Sequence, residues 1–104
     1  MDTSRDNVIR LIQPKKAVLF TKPFIKNLLK ERAISGTRFT DTKHSGFKIK
    51  ARTNDYVFIT ESRLKDGSNK QITITIGSVQ DIPLADAIKT HKDNYSKLQQ
   101  GINP

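Results

Sequence analysis

The sequence predicts an α+β domain: a three-stranded antiparallel β-sheet packed against a C-terminal α-helix, with a short N-terminal helix. Three observations predict it. Residues Phe47 to Arg52 alternate strictly, apolar at odd positions and basic at even ones. Gln71 to Ile76 alternates again, isoleucine with small polar residues, the period of a half-buried strand. Leu84, Ile88, His91, Tyr95 and Leu98 fall at steps of 4, 3, 4 and 3, one stripe of a helix. A chain of 104 residues suits one domain with a modest core.

The elements follow in order. Residues 1–19 read as an N-terminal tail. They hold no cap and no periodicity beyond the Val8-Ile9-Leu11-Ile12 cluster, which Pro14-Lys15-Lys16 interrupts. The domain occupies residues 20–104. Thr21-Lys22-Pro23 is a helix start, since Thr caps well and Pro is tolerated in the first turn. Phe24, Ile25, Leu28 and Leu29 give that helix an apolar face, and it ends near Arg32 to Gly36. Lys22, Lys26 and Lys30 repeat along one flank. Arg38 to Asp41 is a minor strand, and the first full strand starts at Phe47. Asn54-Asp55 turns the chain into Tyr56–Leu64, rich in β-branched and aromatic residues. Lys65 to Asn69 has the chemistry of a hairpin loop, and Gly77 closes the third strand. Pro83 opens the last helix and Gly101 ends it.

The formal charge is +9, from 19 Lys and Arg against 10 Asp and Glu. It is unevenly placed. Residues 10–52 hold twelve basic and two acidic side chains, whereas residues 53–104 hold six of each sign. Concentrated positive charge on a folded domain favours a polyanion partner, by attraction and by counterion release. The absence of cysteine excludes disulfides and thiolate metal sites. His44 and His91 lack the spacing of a zinc site, so neither a metal nor a cofactor is expected, and His91 reads as a core residue of its stripe. No apolar run approaches a membrane span and the N-terminus lacks the pattern of a signal peptide. The expectation is a soluble protein with no membrane partner.

Alternation then assigns two faces. Phe47, Ile49, Ala51, Ile72, Ile74 and Ile76 point inward, with Tyr56, Phe58, Thr60, Ser62 and Leu64 from the middle strand. Lys48, Lys50, Arg52, Arg63, Gln71, Thr73 and Thr75 point outward beside Val57, Ile59 and Glu61. These are side chains that contact phosphates and base edges, and a narrow sheet fits the DNA major groove. Lys43, Lys70 and the Lys22, Lys26, Lys30 row are candidates for phosphate contacts at the rim. Glu61 either accepts from cytosine or neutralises a neighbouring lysine. Val57 and Ile59 form an exposed apolar patch on this reading. Any half-buried sheet also alternates. A sheet-based RNA-binding module is one alternative, disfavoured because the aromatics point inward. A protein-interaction domain using Val57 and Ile59 is another.

Several short motifs occur together. Phe20-Thr21-Lys22 with Ile25 and Leu28 precedes Asp41 and Gly46-Phe47-Lys48-Ile49. Ile74-Thr75-Ile76-Gly77, Leu84-Ala85-Asp86-Ala87 and Gly101-Ile102-Asn103-Pro104 follow. In this order and spacing, over about 85 residues, the chain resembles the N-terminal arm-type DNA-binding domain of phage and genomic-island tyrosine recombinases, the integrases. It departs from that pattern in three places. Ile88-Lys89 stands where an Arg is usual, Pro83 where a Ser caps the helix, and Ile59-Thr60 where the middle strand carries Arg-Tyr. The resemblance implies binding of double-stranded DNA at the arm-type sites of an attachment site, with other integrase protomers as possible partners. It also implies a bacterial cytoplasmic, nucleoid-associated setting. The domain itself would be non-catalytic, Tyr56 and Tyr95 standing in the sheet core and the helix stripe. Catalysis would belong to further domains of a parent recombinase.

Overall fold

A computed structural model describes residues 17–104 of the chain. The Val8-Ile9-Leu11-Ile12 cluster lies outside the described residues. In chain order the elements are β1 (Ala17–Val18), α1 (Lys22–Leu28), β2 (Arg38–Asp41), β3 (Phe47–Ala51), β4 (Tyr56–Arg63), β5 (Gln71–Ser78) and α2 (Leu84–Gln99). The strands lie side by side in the order β1-β2-β3-β4-β5. β1 runs parallel to β2, and every other neighbouring pair is antiparallel.

The three-stranded antiparallel sheet expected from the sequence is therefore corrected to a five-stranded mixed sheet. The three expected strands are present as β3, β4 and β5. What extends them is short. β2 has four residues, too few for alternation to distinguish a full sheet member from a minor strand. Its register settles the matter, pairing Arg38 with Lys50, Phe39 with Ile49 and Thr40 with Lys48. β1 has two residues and nothing to alternate. It is held by contacts distant in sequence. Thr42 N donates to Val18 O at 2.9 Å, and Phe20 N donates to the buried Asp41 Oδ1 at 3.1 Å. Ala17 and Val18, placed in the tail by sequence, thus belong to the sheet.

Thr21 caps α1 as expected, its Oγ1 accepting from Phe24 N at 3.2 Å, with Pro23 in the first turn. The helix stops at Leu28, a turn earlier than the sequence suggests. Seven residues do not hold a helix alone, so packing must. Phe24 stacks on Phe20 at 5.6 Å and meets the edge of Phe39 at 6.0 Å. Phe39 shares a row with Ile49 and Phe58, which places α1 on the inner face of the sheet.

α2 lies on the same face. Phe47, fully buried, touches Phe20, Phe58 and His91 at ring distances of 5.4, 5.6 and 5.0 Å. Ala87, His91, Asn94 and Leu98 form the buried line of α2, while Leu84, Ile88 and Tyr95 flank it half-buried. The expected stripe is thus rotated towards the side holding Ala87 and Asn94. A small and a polar residue carry little weight in an apolar periodicity.

One glycine sits at an irregularity of the sheet. Phe58 pairs with Gly77 but Ile59 with Thr75, so Ile76 is the extra residue of a bulge. Gly77 has φ +155° there, and a β-carbon on it would collide with Ile82 Cδ1. Among the described residues no helix is long and apolar enough to cross a membrane, and both helices cover one face of the sheet.

Candidate nucleic-acid interface

The face away from the helices is assembled by register. Arg38 stands beside Lys50, and Lys50 beside Val57. Thr40 stands beside Lys48, Lys48 beside Ile59, and Ile59 beside Thr75. Glu61 pairs with Thr73 and Arg63 with Gln71. Six of the residues expected on this face are therefore brought together: Lys48, Lys50, Arg63, Gln71, Thr73 and Thr75. β5 is the edge strand, and its Gln71, Thr73 and Thr75 are exposed. Arg63 is exposed too, its Nη1 donating to Asn69 O at 2.9 Å.

Glu61 organises the centre of the face. Its side chain is only 6% exposed, yet it is surrounded by donors. Lys48 Nζ donates to Oε1 at 3.0 Å, and Thr73 Oγ1 donates to Oε2 at 2.7 Å. Arg38 Nε also lies 3.0 Å from Oε1, close enough for an ion pair, but its N–H is not aligned as a hydrogen bond. Burial alone would raise the carboxyl pKa. The hydrogen bonds from Thr73 and Lys48 and the charges of Lys48 and Arg38 outweigh it and hold Glu61 below its ordinary value. Of the two sequence readings of Glu61, neutralising a lysine fits the geometry, because its oxygens are already engaged.

Arg38 was not among the sequence-derived site residues, nor was Thr40. The signal was present: Phe39 pointing inward sets Arg38 and Thr40 outward. The Arg38–Glu61 ion pair runs from β2 to β4, so it spans β3. This bears on Val57 and Ile59, expected as an exposed apolar patch. They are 2% and 0% exposed. Their register neighbours are Lys50 and Ser78 for Val57, and Lys48 and Thr75 for Ile59. Long cationic side chains lay their methylene stems on apolar surface while the charged head stays in water. The expected patch is corrected to a buried ridge between polar side chains.

The remaining candidates lie elsewhere. Arg52 is one residue past β3, in the turn to β4. Its Nε and Nη2 meet Asp55 Oδ1 and Oδ2 at 2.7 and 2.6 Å, a bidentate pair. That hydrogen bonding lowers the Asp55 pKa below the ordinary carboxylate range. Lys43 is exposed between β2 and β3, and Lys70 is exposed just before β5. The exposed Lys22, Lys26 and Lys30 belong to α1 and the turn after it, hence to the helical layer. Lys22 and Lys26, with Ile25, Leu29 and Ile82, line a groove of about 390 Å³ between α1 and the turn leading to α2. Their expected place at the rim of the outer face is corrected accordingly. A sequence repeat every fourth residue identifies a helix flank but not the side of the sheet on which the helix packs.

His91 is occupied inside. Its Nε2 donates to Ser45 O at 2.9 Å, so Nδ1 accepts from Thr60 Oγ1, also at 2.9 Å. Asn94 Nδ2 donates to the same threonine oxygen at 3.4 Å. Burial is the main cause holding the His91 pKa below its ordinary value and keeping the ring neutral. No protein-family model and no curated protein matches the chain.

Proposed function

We propose that the chain binds double-stranded DNA sequence-specifically through the outer face of its sheet, as a non-catalytic arm-type domain of a tyrosine recombinase. The observation that carries this reading is the gathering of Arg38, Lys48, Lys50 and Arg63 on the face free of helices. Exposed Gln71, Thr73 and Thr75 stand along its edge strand. Glu61, the acid on that face, is engaged by Lys48, Arg38 and Thr73.

The dimensions refine how the face would be used. Five strands at about 4.8 Å spacing span roughly 19 Å, too wide for a major groove of about 12 Å. Three strands span roughly 10 Å. The β3–β5 side of the sheet therefore enters the groove, its edge strand β5 presenting Gln71, Thr73 and Thr75 to base edges. β2 stays outside with Arg38 facing a phosphate strand. Lys43 and Lys70, in the turns at the ends of these strands, reach phosphates along the same groove.

The buried aromatics support duplex over single-stranded RNA. Phe47, Tyr56 and Phe58 are at most 6% exposed on the helix-bearing side, away from any stacking partner. The Tyr56 hydroxyl donates to Glu31 O at 2.9 Å and accepts from Ala33 N at 3.2 Å, a structural commitment unlike that of a nucleophile.

The test is an anisotropy titration against duplexes selected by the chain from a randomised pool, with scrambled duplex as control. Four or five neutralised phosphates give a log–log salt slope of about −4. Equal affinity for selected and scrambled duplex, or a flat salt dependence, would refute the proposal.

A further inference from the structure

Thr73 has one hydroxyl proton, and the structure commits it. Its Oγ1 lies 2.7 Å from Glu61 Oε2, and Glu61 is held in the charged form. A carboxylate only accepts, so the threonine must donate. What remains on Oγ1 is lone-pair density, on an exposed side chain of the edge strand. Turning the hydroxyl to donate outward would remove a donor from a carboxylate that is nearly buried, a costly exchange.

We infer that Thr73 acts as an obligate hydrogen-bond acceptor that reads an exocyclic amine, adenine N6 or cytosine N4, in the major groove. The inference rests on the DNA-binding reading above and deepens it. In the major groove guanine offers acceptors only, and thymine an acceptor and a methyl group. Adenine and cytosine alone present an N–H donor. A free threonine hydroxyl would serve both sets. One whose proton is held by Glu61 discriminates between them. Glu61 is then a positioning residue: it touches no base, and sets the polarity of the side chain that does.

The two oxygens of Glu61 are used unequally, which supplies a sharp test. Lys48 and Arg38 both gather at Oε1, and Thr73 faces Oε2. In Glu61→Gln the cations retain the amide oxygen, leaving the amide NH₂ towards Thr73. The threonine oxygen then accepts from the protein and its proton is released to donate outward.

The experiment selects duplexes from a randomised pool with the native chain, Thr73→Val, Thr73→Ser and Glu61→Gln, each checked for an intact fold by thermal melting. The native chain should prefer adenine or cytosine at one position by about fivefold, the worth of one net hydrogen bond. Thr73→Val should lose that preference to within twofold while other positions persist. Thr73→Ser should keep it, and Glu61→Gln should turn it towards guanine or thymine. If Thr73→Val returns the native consensus, or weakens binding equally at all four bases, the inference is overturned and the DNA-binding reading stands. If the native chain selects no consensus at all, both fall.

Discussion

Thr60 and Glu61 are consecutive on β4 and point to opposite sides of the sheet, and each is the centre of a buried polar cluster. On the inner side Thr60, His91, Asn94 and Ser45 O form a neutral set in which both imidazole nitrogens are used by protein. On the outer side Glu61 gathers two cations and a hydroxyl, and each of those groups keeps hydrogen-bonding capacity beyond the carboxylate. A network closed by protein alone belongs to stability. One that ends in unspent donors and lone pairs at an exposed surface is suited to a ligand. The difference between the two faces lies in what is left over after the internal bonds are made.

The comparison breaks most readily from the inner side. Phe47→Ala removes a fully buried ring that touches Phe20, Phe58 and His91. It should cost about 3–5 kcal/mol by chemical denaturation. The remaining folded molecules should keep the native DNA preference, since no outer-face residue moves. Thr60→Val should cost about 1–3 kcal/mol, because His91 Nδ1 and Asn94 then lose their shared partner. A change in base preference in either variant would mean that the two faces are coupled through β4.

Acid should separate the clusters. His91 has a folded-state pKa below its ordinary 6.5, so the unfolded chain takes up a proton first. Its contribution to stability is whole above that value and declines as pH falls below it. Glu61 has a folded-state pKa below its ordinary 4.5, so its contribution persists until pH drops under that value. Denaturation midpoints measured from pH 7.5 to 3.5 should show an early decline that His91→Gln abolishes. A later decline should be sensitive to Glu61→Gln. An early decline that survives in His91→Gln would assign it to a group outside this inner cluster.

Legibility in the sequence follows the same division. Alternation in Phe47–Arg52 and Gln71–Ile76 identified β3 and β5 and the facing of their side chains, because each repeats its period several times, and β-branched and aromatic content identified β4 between them. The pairs that complete the sheet have no such repeat: Ala17–Val18 is two residues long, and Arg38–Asp41 offers one cycle of alternation. Both depend on contacts far apart in sequence, chiefly the Asp41 carboxylate accepting from Phe20 N. The candidate site was legible as a set of outward residues but not as a network. Nothing local indicates that Arg38 reaches past β3 to Glu61, or that Val57 and Ile59 lie buried between lysine and threonine neighbours. The α1 lysines show the same limit, since their side of the sheet is decided by Phe24 packing on Phe39.

The smallest expected effect concerns Arg52, one of the residues expected on the outer face, which the structure places in a turn. Its guanidinium is held by Asp55 through two hydrogen bonds, yet the pair is exposed, with side-chain accessibilities of 50% and 27%. Exposed pairs contribute little to stability, so Asp55→Ala should change it by less than about 0.5 kcal/mol. The consequence lies in charge. Removing Asp55 takes away one negative charge and frees a guanidinium at the end of the β3–β4 hairpin. Affinity for scrambled duplex should then rise a few-fold at low salt, with a salt slope steeper by about one unit. Arg52→Ala in the Asp55→Ala background should cancel both changes. An unchanged salt slope in Asp55→Ala would place this hairpin beyond reach of the DNA and confine binding to Lys48, Lys50, Arg63 and the edge strand.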